Sequence, residues 1–125
     1  MSRADRGSAT LEVSILAPVL LLVVFTIIQV GLWSYARSLA LGAAQEGVAA
    51  GRAHGASAEA GRARARAFLD ATAGDSLRNS AVTSTATPAT LRIEVTGRAL
   101  SVLPGVPGLP VRQHAQGPVE RVTAP

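Results

Sequence analysis

A lone carboxylate, Glu12, stands at the mouth of a run, residues 13–36, that holds no charged residue. A charge at the edge of a bilayer-length segment is costly, so its position asks for a chemical reason. Ahead of it the chain reads Arg6-Gly7-Ser8-Ala9-Thr10-Leu11-Glu12. In the first turn of a helix, the dipole favours an anion such as this one. The rest of the inventory supports pairing and packing, not bond-making. There is no Cys, hence neither a disulfide framework nor a thiolate. His54 and His114 lack any ligand spacing, and zinc needs three or four converging ligands, so no metal is expected. The Ser and Thr residues lack a histidine–carboxylate context. No phosphate loop, nucleophile elbow or acid pair appears, so neither an enzyme nor a cofactor is expected.

The element that must position Glu12 is the apolar run. Its 24 residues, as a helix, reach about 36 Å at ~1.5 Å per residue, enough to cross a bilayer with some tilt. Ser14, Thr26 and Gln29 are its strongly polar members, and Pro18 lies where a bilayer helix tolerates a kink. Trp33 and Tyr35 are spaced as an interfacial belt, with Arg37 beyond them. The membrane anchor is therefore assigned to Val13, Pro18, Trp33 and Tyr35. A removed signal peptide is the alternative, with Ser34-Tyr35-Ala36 as a small-x-small cleavage site. The run is longer than the usual apolar region of such a peptide, which favours a retained anchor. Arg3 and Arg6 on one flank balance Arg37 and Arg52 on the other, so charge alone does not orient the segment.

Beyond the run, helix is expected over residues 37–53. Ala36, Ala40, Ala44, Gly47 and Gly51 form a stripe of small residues, and Gly47-x-x-x-Gly51 permits close helix packing. A break at residues 54–56 leads to Ser57, a cap for a second helix to residue 73. On it, Ala60, Ala63, Ala67, Phe68 and Ala71 are expected to face inward. Arg62 and Arg66 are expected in solvent, near Glu59 and Asp70. Residues 81–87 and 90–99 alternate as strands around the loop Thr87-Pro88-Ala89. Pro104, Pro107 and Pro110 imply an extended or turn-rich crossover, and residues 113–122 a third, edge strand. The fold class is α+β: a long N-terminal transmembrane helix, a second helix and a small antiparallel sheet. The net charge of +4 is scattered and only four residues are aromatic, so no nucleic-acid partner is expected. A core this small gains stability from anchoring or assembly.

The order of basic residue, Gly7, small residues, Glu12 and apolar run with early Pro18 resembles the N-terminus of TadE-like proteins of the tight adherence (Tad, or Flp) pilus system. The resemblance continues through Tyr35-Ala36-Arg37, Leu39, Leu41, Ala43-Ala44, Glu46-Gly47 and Ala49-Ala50. It implies that a prepilin peptidase cuts between Gly7 and Ser8. Ser8 then becomes the N-terminus and Glu12 the fifth residue of the mature chain. These two are one helical turn apart and share a face, so the freed amine can pair with Glu12 of the same or a neighbouring subunit. Glu12 would thereby set the register of assembly. Val13 stands where the major Flp pilins carry Tyr, which points to a minor pilin or pseudopilin.

The organisation so implied is a leader at residues 1–7, a transmembrane helix at 8–36, its membrane-distal extension at 37–56 and an ectodomain at 57–125. The expected partners are the prepilin peptidase, other pilus or pseudopilin subunits and membrane lipid. The expected location is the cell membrane, crossed once, with the C-terminal domain outside the cytoplasm. Two other readings stay open: an uncleaved single-pass anchor, and an envelope binding protein released by signal peptidase.

Overall fold

The computed structural model describes residues 3–53 and 57–119, with side chains from residue 9 onward. Its first element, α1 (Arg3–Gly51), is one helix of 49 residues, roughly 70 Å long, that passes through Pro18 without ending. Four further regular elements and one short turn follow: α2 (Ala58–Thr72), a 3-10 turn at Gly74–Ser76, β1 (Leu77–Ala86), β2 (Thr90–Ala99) and β3 (Pro110–Pro118). The strands form one antiparallel sheet in the order β1-β2-β3. The α+β class expected from the sequence is the class observed.

The first half of α1 is bare. Its large aliphatic side chains from Leu11 to Val30 are exposed, and an 18-residue window reaches a mean hydropathy of 2.7. That length and composition suffice to span a membrane. The hydroxyls within this half are satisfied internally: Ser14 donates to the Thr10 carbonyl at 2.8 Å and Thr26 to that of Leu22 at 2.7 Å. Such back-bonding lets a polar side chain sit in an apolar segment.

The second half of α1 is covered. Gln29, Ala36, Ala40, Ala43, Ala44, Gly47, Val48 and Gly51 are buried, a stripe at helical spacing. Against it lie α2 and one face of the sheet. From the sheet, Leu91, Ile93 and Val95 of the central strand are fully buried, joined by Leu77, Ala99 and Val111. Burying side chains of this size contributes about 1.5–3 kcal/mol each. The opposite face of the sheet carries Arg92, Glu94, Arg98, Arg112 and His114.

Ser57 caps α2 as expected, accepting from the Ala60 N–H at 3.1 Å. The inward face of α2 differs from the alanines named above. Gly61, Ala65 and Leu69 are buried, whereas Ala60, Ala63, Ala67 and Ala71 are exposed; Phe68 is half-buried over Gly42. The reason is the partner. Gly47 and Gly51 make a notch, and a Cβ on Gly61 would stand 2.7 Å from the Gly47 carbonyl. Only glycine fits there, and the rest of the face follows at steps of four. Arg66 also differs. Instead of standing in solvent it is half-buried and donates to the Ser80 carbonyl at 3.1 Å, with Asp70 at 3.6 Å.

Strand β1 begins four residues before the expected start. Leu77 and Arg78 pair with Ala99 and Arg98, then the register shifts before Ala81. Asn79, at φ 51°, makes the bulge, since Asn tolerates the left-handed region better than most residues. Strand β3 begins at Pro110, three residues early, because its first position needs no N–H from proline. It ends at Pro118; residues 120–122 of the expected strand lie outside the described residues, as do residues 54–56 of the expected break.

Candidate functional site

Glu12 and the residues around it lie on the bare half of α1. Its side chain is exposed and shares a helix face with Ile15, Leu16 and Val19. Gly7 and Ser8 lie within α1, and the Ser8 side chain is outside the described residues. Among the described residues no basic group forms an ion pair with Glu12, and no cluster of three or more His, Asp or Glu could hold a metal. Among the described side chains, the chemistry on offer at this end is one carboxylate on an apolar helix.

The other residues singled out in the sequence come together on the covered half. Gly47 faces Gly61 and Ile93: a Cβ there would be 2.8 Å from the Gly61 carbonyl and 3.3 Å from Ile93 Cγ1. On Gly51 it would collide with Leu91 Cδ2 and lie 3.1 Å from the Ser57 carbonyl. Trp33 and Tyr35 do not act alike. Tyr35 is exposed, while the Trp33 indole donates to the Pro110 carbonyl at 3.2 Å and carries the Arg37 guanidinium 4.8 Å above its ring.

The residue that sequence reasoning left without a role is Gln29. It is buried to 7 % exposure, the one buried polar side chain among the described residues. Its amide clasps the chain leaving β2: Nε2 donates to the Leu100 carbonyl and Oε1 accepts from the Val102 N–H, both at 2.9 Å. One side chain thus replaces two strand-type hydrogen bonds. The signal was present in the sequence, a glutamine inside an uncharged apolar run, where polar side chains are expensive and mark function. Together Gln29 and Trp33 fasten both ends of the β2–β3 connection to α1, one turn apart. The folded domain therefore grips the helix within the segment expected to span the membrane, Gln29 being the first buried side chain along α1.

At the surface, electrostatics are local. Arg62 bonds Glu59 on α2; that hydrogen bond first, then the charge, holds the Glu59 carboxyl below its usual value and the Arg62 guanidinium above its own. Glu94 lies between Arg92 at 3.2 Å and Arg112 at 3.6 Å on the outer sheet face. These are solvated pairs of small energetic weight.

Residues 7–49 match the family model described as TadE-like protein. The match takes in 43 of the 125 residues, nearly all of α1 and no part of the sheet. It supports a pilin-like, structural protein associated with a Tad pilus. Neither a curated protein nor a solved structure matches this chain.

Proposed function

We propose that this chain, TadE-like over residues 7–49, is a minor pilin or pseudopilin. In this reading a prepilin peptidase cuts between Gly7 and Ser8, and the mature chain becomes a structural part of a Tad-type pilus or related secretion apparatus. The observation that carries it is the layout of α1. The family match covers the Gly7-to-Glu12 motif, a bare apolar half follows, and a covered half holds the ectodomain. The ectodomain lies outside the cytoplasm. The Ser8 amine freed by cleavage pairs with Glu12 of a neighbouring subunit while both lie in the low-dielectric edge of the bilayer. Partners are the peptidase, other subunits of the apparatus and lipid.

Release by signal peptidase after Ala36 is the less suitable reading. Such a cut would strip the ectodomain of Gln29 and Trp33, which hold its β2–β3 connection, and of the buried Ala36. N-terminal sequencing after co-expression with the cognate prepilin peptidase decides among the readings. A chain beginning at Ser8 is expected, and Gly7→Leu should prevent it, because the scissile bond must enter a confined site. A start at Met1 despite an active peptidase would leave an uncleaved anchor, and a start at Arg37 a released protein.

A further inference from the structure

The sheet has two connections, and they end at opposite ends of the covered helix. The β1–β2 turn, residues 87–89, adjoins Leu91, which packs at Gly51. The β2–β3 connection, residues 100–109, is fastened at Gln29 and Trp33, where the bare half of α1 begins. Apart from α1 itself, the exposed large hydrophobic side chains among the described residues are Val106 and Leu109, at 49 % and 44 %, both in this connection. Exposed apolar surface on a soluble face is a liability; beside a membrane span it is a continuation of the span. We infer that the 100–109 connection is a second membrane contact, seated in the headgroup region of the leaflet on the ectodomain side.

The connection is built to hold a fixed shape. Pro104 and Gly105, the latter at φ 71°, occupy the central positions of a turn closed by the Val106 N–H donating to the Leu103 carbonyl at 3.2 Å. Proline followed by a positive-φ glycine is the pattern of a type II turn. Ser101 donates its hydroxyl to the Val106 carbonyl at 2.6 Å, and Ala99 N–H donates to the Leu109 carbonyl at 3.0 Å. Backbone polar groups near the tip are thus partly satisfied within the chain, as entry into an apolar boundary requires.

Charge supports the same partner. Arg78 and Arg98 stand directly opposite each other on β1 and β2, at the sheet end that carries this connection, and both are exposed. Like charges in that position repel. Arg98 is tied to the connection by donating to the Gly108 carbonyl at 3.1 Å. Asp75, exposed three residues before Arg78, forms no ion pair with either among the described residues. Both arginines line one hollow with Val106 and Pro107, and two positive charges beside an apolar tip suit the phosphates of anionic lipids. From the clasp at Gln29 back to Ala9, the bare helix gives roughly 30 Å, the thickness of a hydrocarbon core.

This inference rests on the reading that α1 spans the membrane, and the test separates the two. The chain has no cysteine, so single labels are clean. Full-length protein is reconstituted in vesicles of phosphatidylcholine with or without phosphatidylglycerol. Separate variants Val106→Cys, Ala89→Cys and Leu20→Cys carry an environment-sensitive fluorophore. In the anionic vesicles, the label at position 106 should shift to the blue and lose emission to a shallow lipid-borne quencher, while that at 89 does neither. Adding Arg78→Ser and Arg98→Ser should reverse most of that loss at position 106. Quenching at position 20 by a deep quencher without quenching at 106 would overturn the second contact and leave the span standing. No lipid quenching at position 20 would overturn both. Protection of position 106 from aqueous iodide without lipid quenching would mean that protein covers the connection, and would also overturn it.

Discussion

The two halves of α1 differ in both polarity and side-chain size, and they do opposite work. From Leu11 to Ile28 the helix is mostly Leu, Val and Ile, and these side chains are exposed. From Gln29 to Gly51 it turns to Ala and Gly, and a sheet and a second helix close over it. Large side chains lose little in lipid, which is as apolar as they are, and add no drive to pack within it. Small ones leave little surface of their own but let a neighbouring backbone come near. Side-chain size as well as hydrophobicity separates the bare part, apolar enough to span a membrane, from the part that packs against protein.

Putting a large side chain in the covered half should have the greatest effect. Gly47→Leu drives a side chain into the Gly61 carbonyl and Ile93, and should cost about 3 kcal/mol. Amides of β2 should then exchange hydrogen much faster in nanodiscs. Unchanged exchange would mean that α2 is free to move aside and that size does not rule this half. Gln29→Leu comes next. It makes the border as apolar as the bare half but leaves the Leu100 carbonyl and Val102 N–H without partners, at about 1–3 kcal/mol. Protease sensitivity in residues 100–109 should rise, with β2 still protected. Trp33→Phe keeps an aromatic face, smaller than the indole, and removes one hydrogen bond to Pro110, a loss of about 0.5–1.5 kcal/mol for the bond itself. The same exchange measurement at β3 reads it.

Leu20→Ala, in the bare half, should leave ectodomain exchange unaltered, since Leu20 is 54 % exposed. A measurable loss there would break the contrast. Farthest from either half of α1, the Glu59–Arg62 pair supplies the smallest effect. Folding lowers the Glu59 pKa below its ordinary 4.5. Its contribution is therefore complete above that value and lost as the pH falls through the lower, folded one. Being fully solvated, it should give a Glu59→Gln variant a melting temperature like the parent's at pH 7.

Much of this arrangement could be read from the chain. Length and lack of charge mark the helix, Ser57 marks the start of α2, and the alternation of Leu91, Ile93 and Val95 marks the central strand. Three features hid. The inner face of α2 hid because one alanine looks like another in sequence, and only the notch at Gly47 and Gly51 selects Gly61. The start of β1 hid because the Asn79 bulge interrupts its alternation. The role of Gln29 hid because its partners are backbone groups more than 70 residues away, with no sequence signature. At the N-terminal motif the sequence says the most, since Gly7 and Ser8 carry no described side chains and Glu12 has only its own helix face beside it.

Because α1 has no break between Glu12 and Gln29, the carboxylate and the folded domain are locked in phase like two marks on one shaft. Seventeen residues separate them, which at ~100° per residue sets Glu12 roughly a quarter turn around the axis from the clasp. Under the proposed pairing, a subunit seated by Glu12 has its folded domain already aimed, both in azimuth and in height. One extra alanine near residue 22 would swing the sheet by about 100° and lift it ~1.5 Å, leaving each part chemically whole and the two out of step.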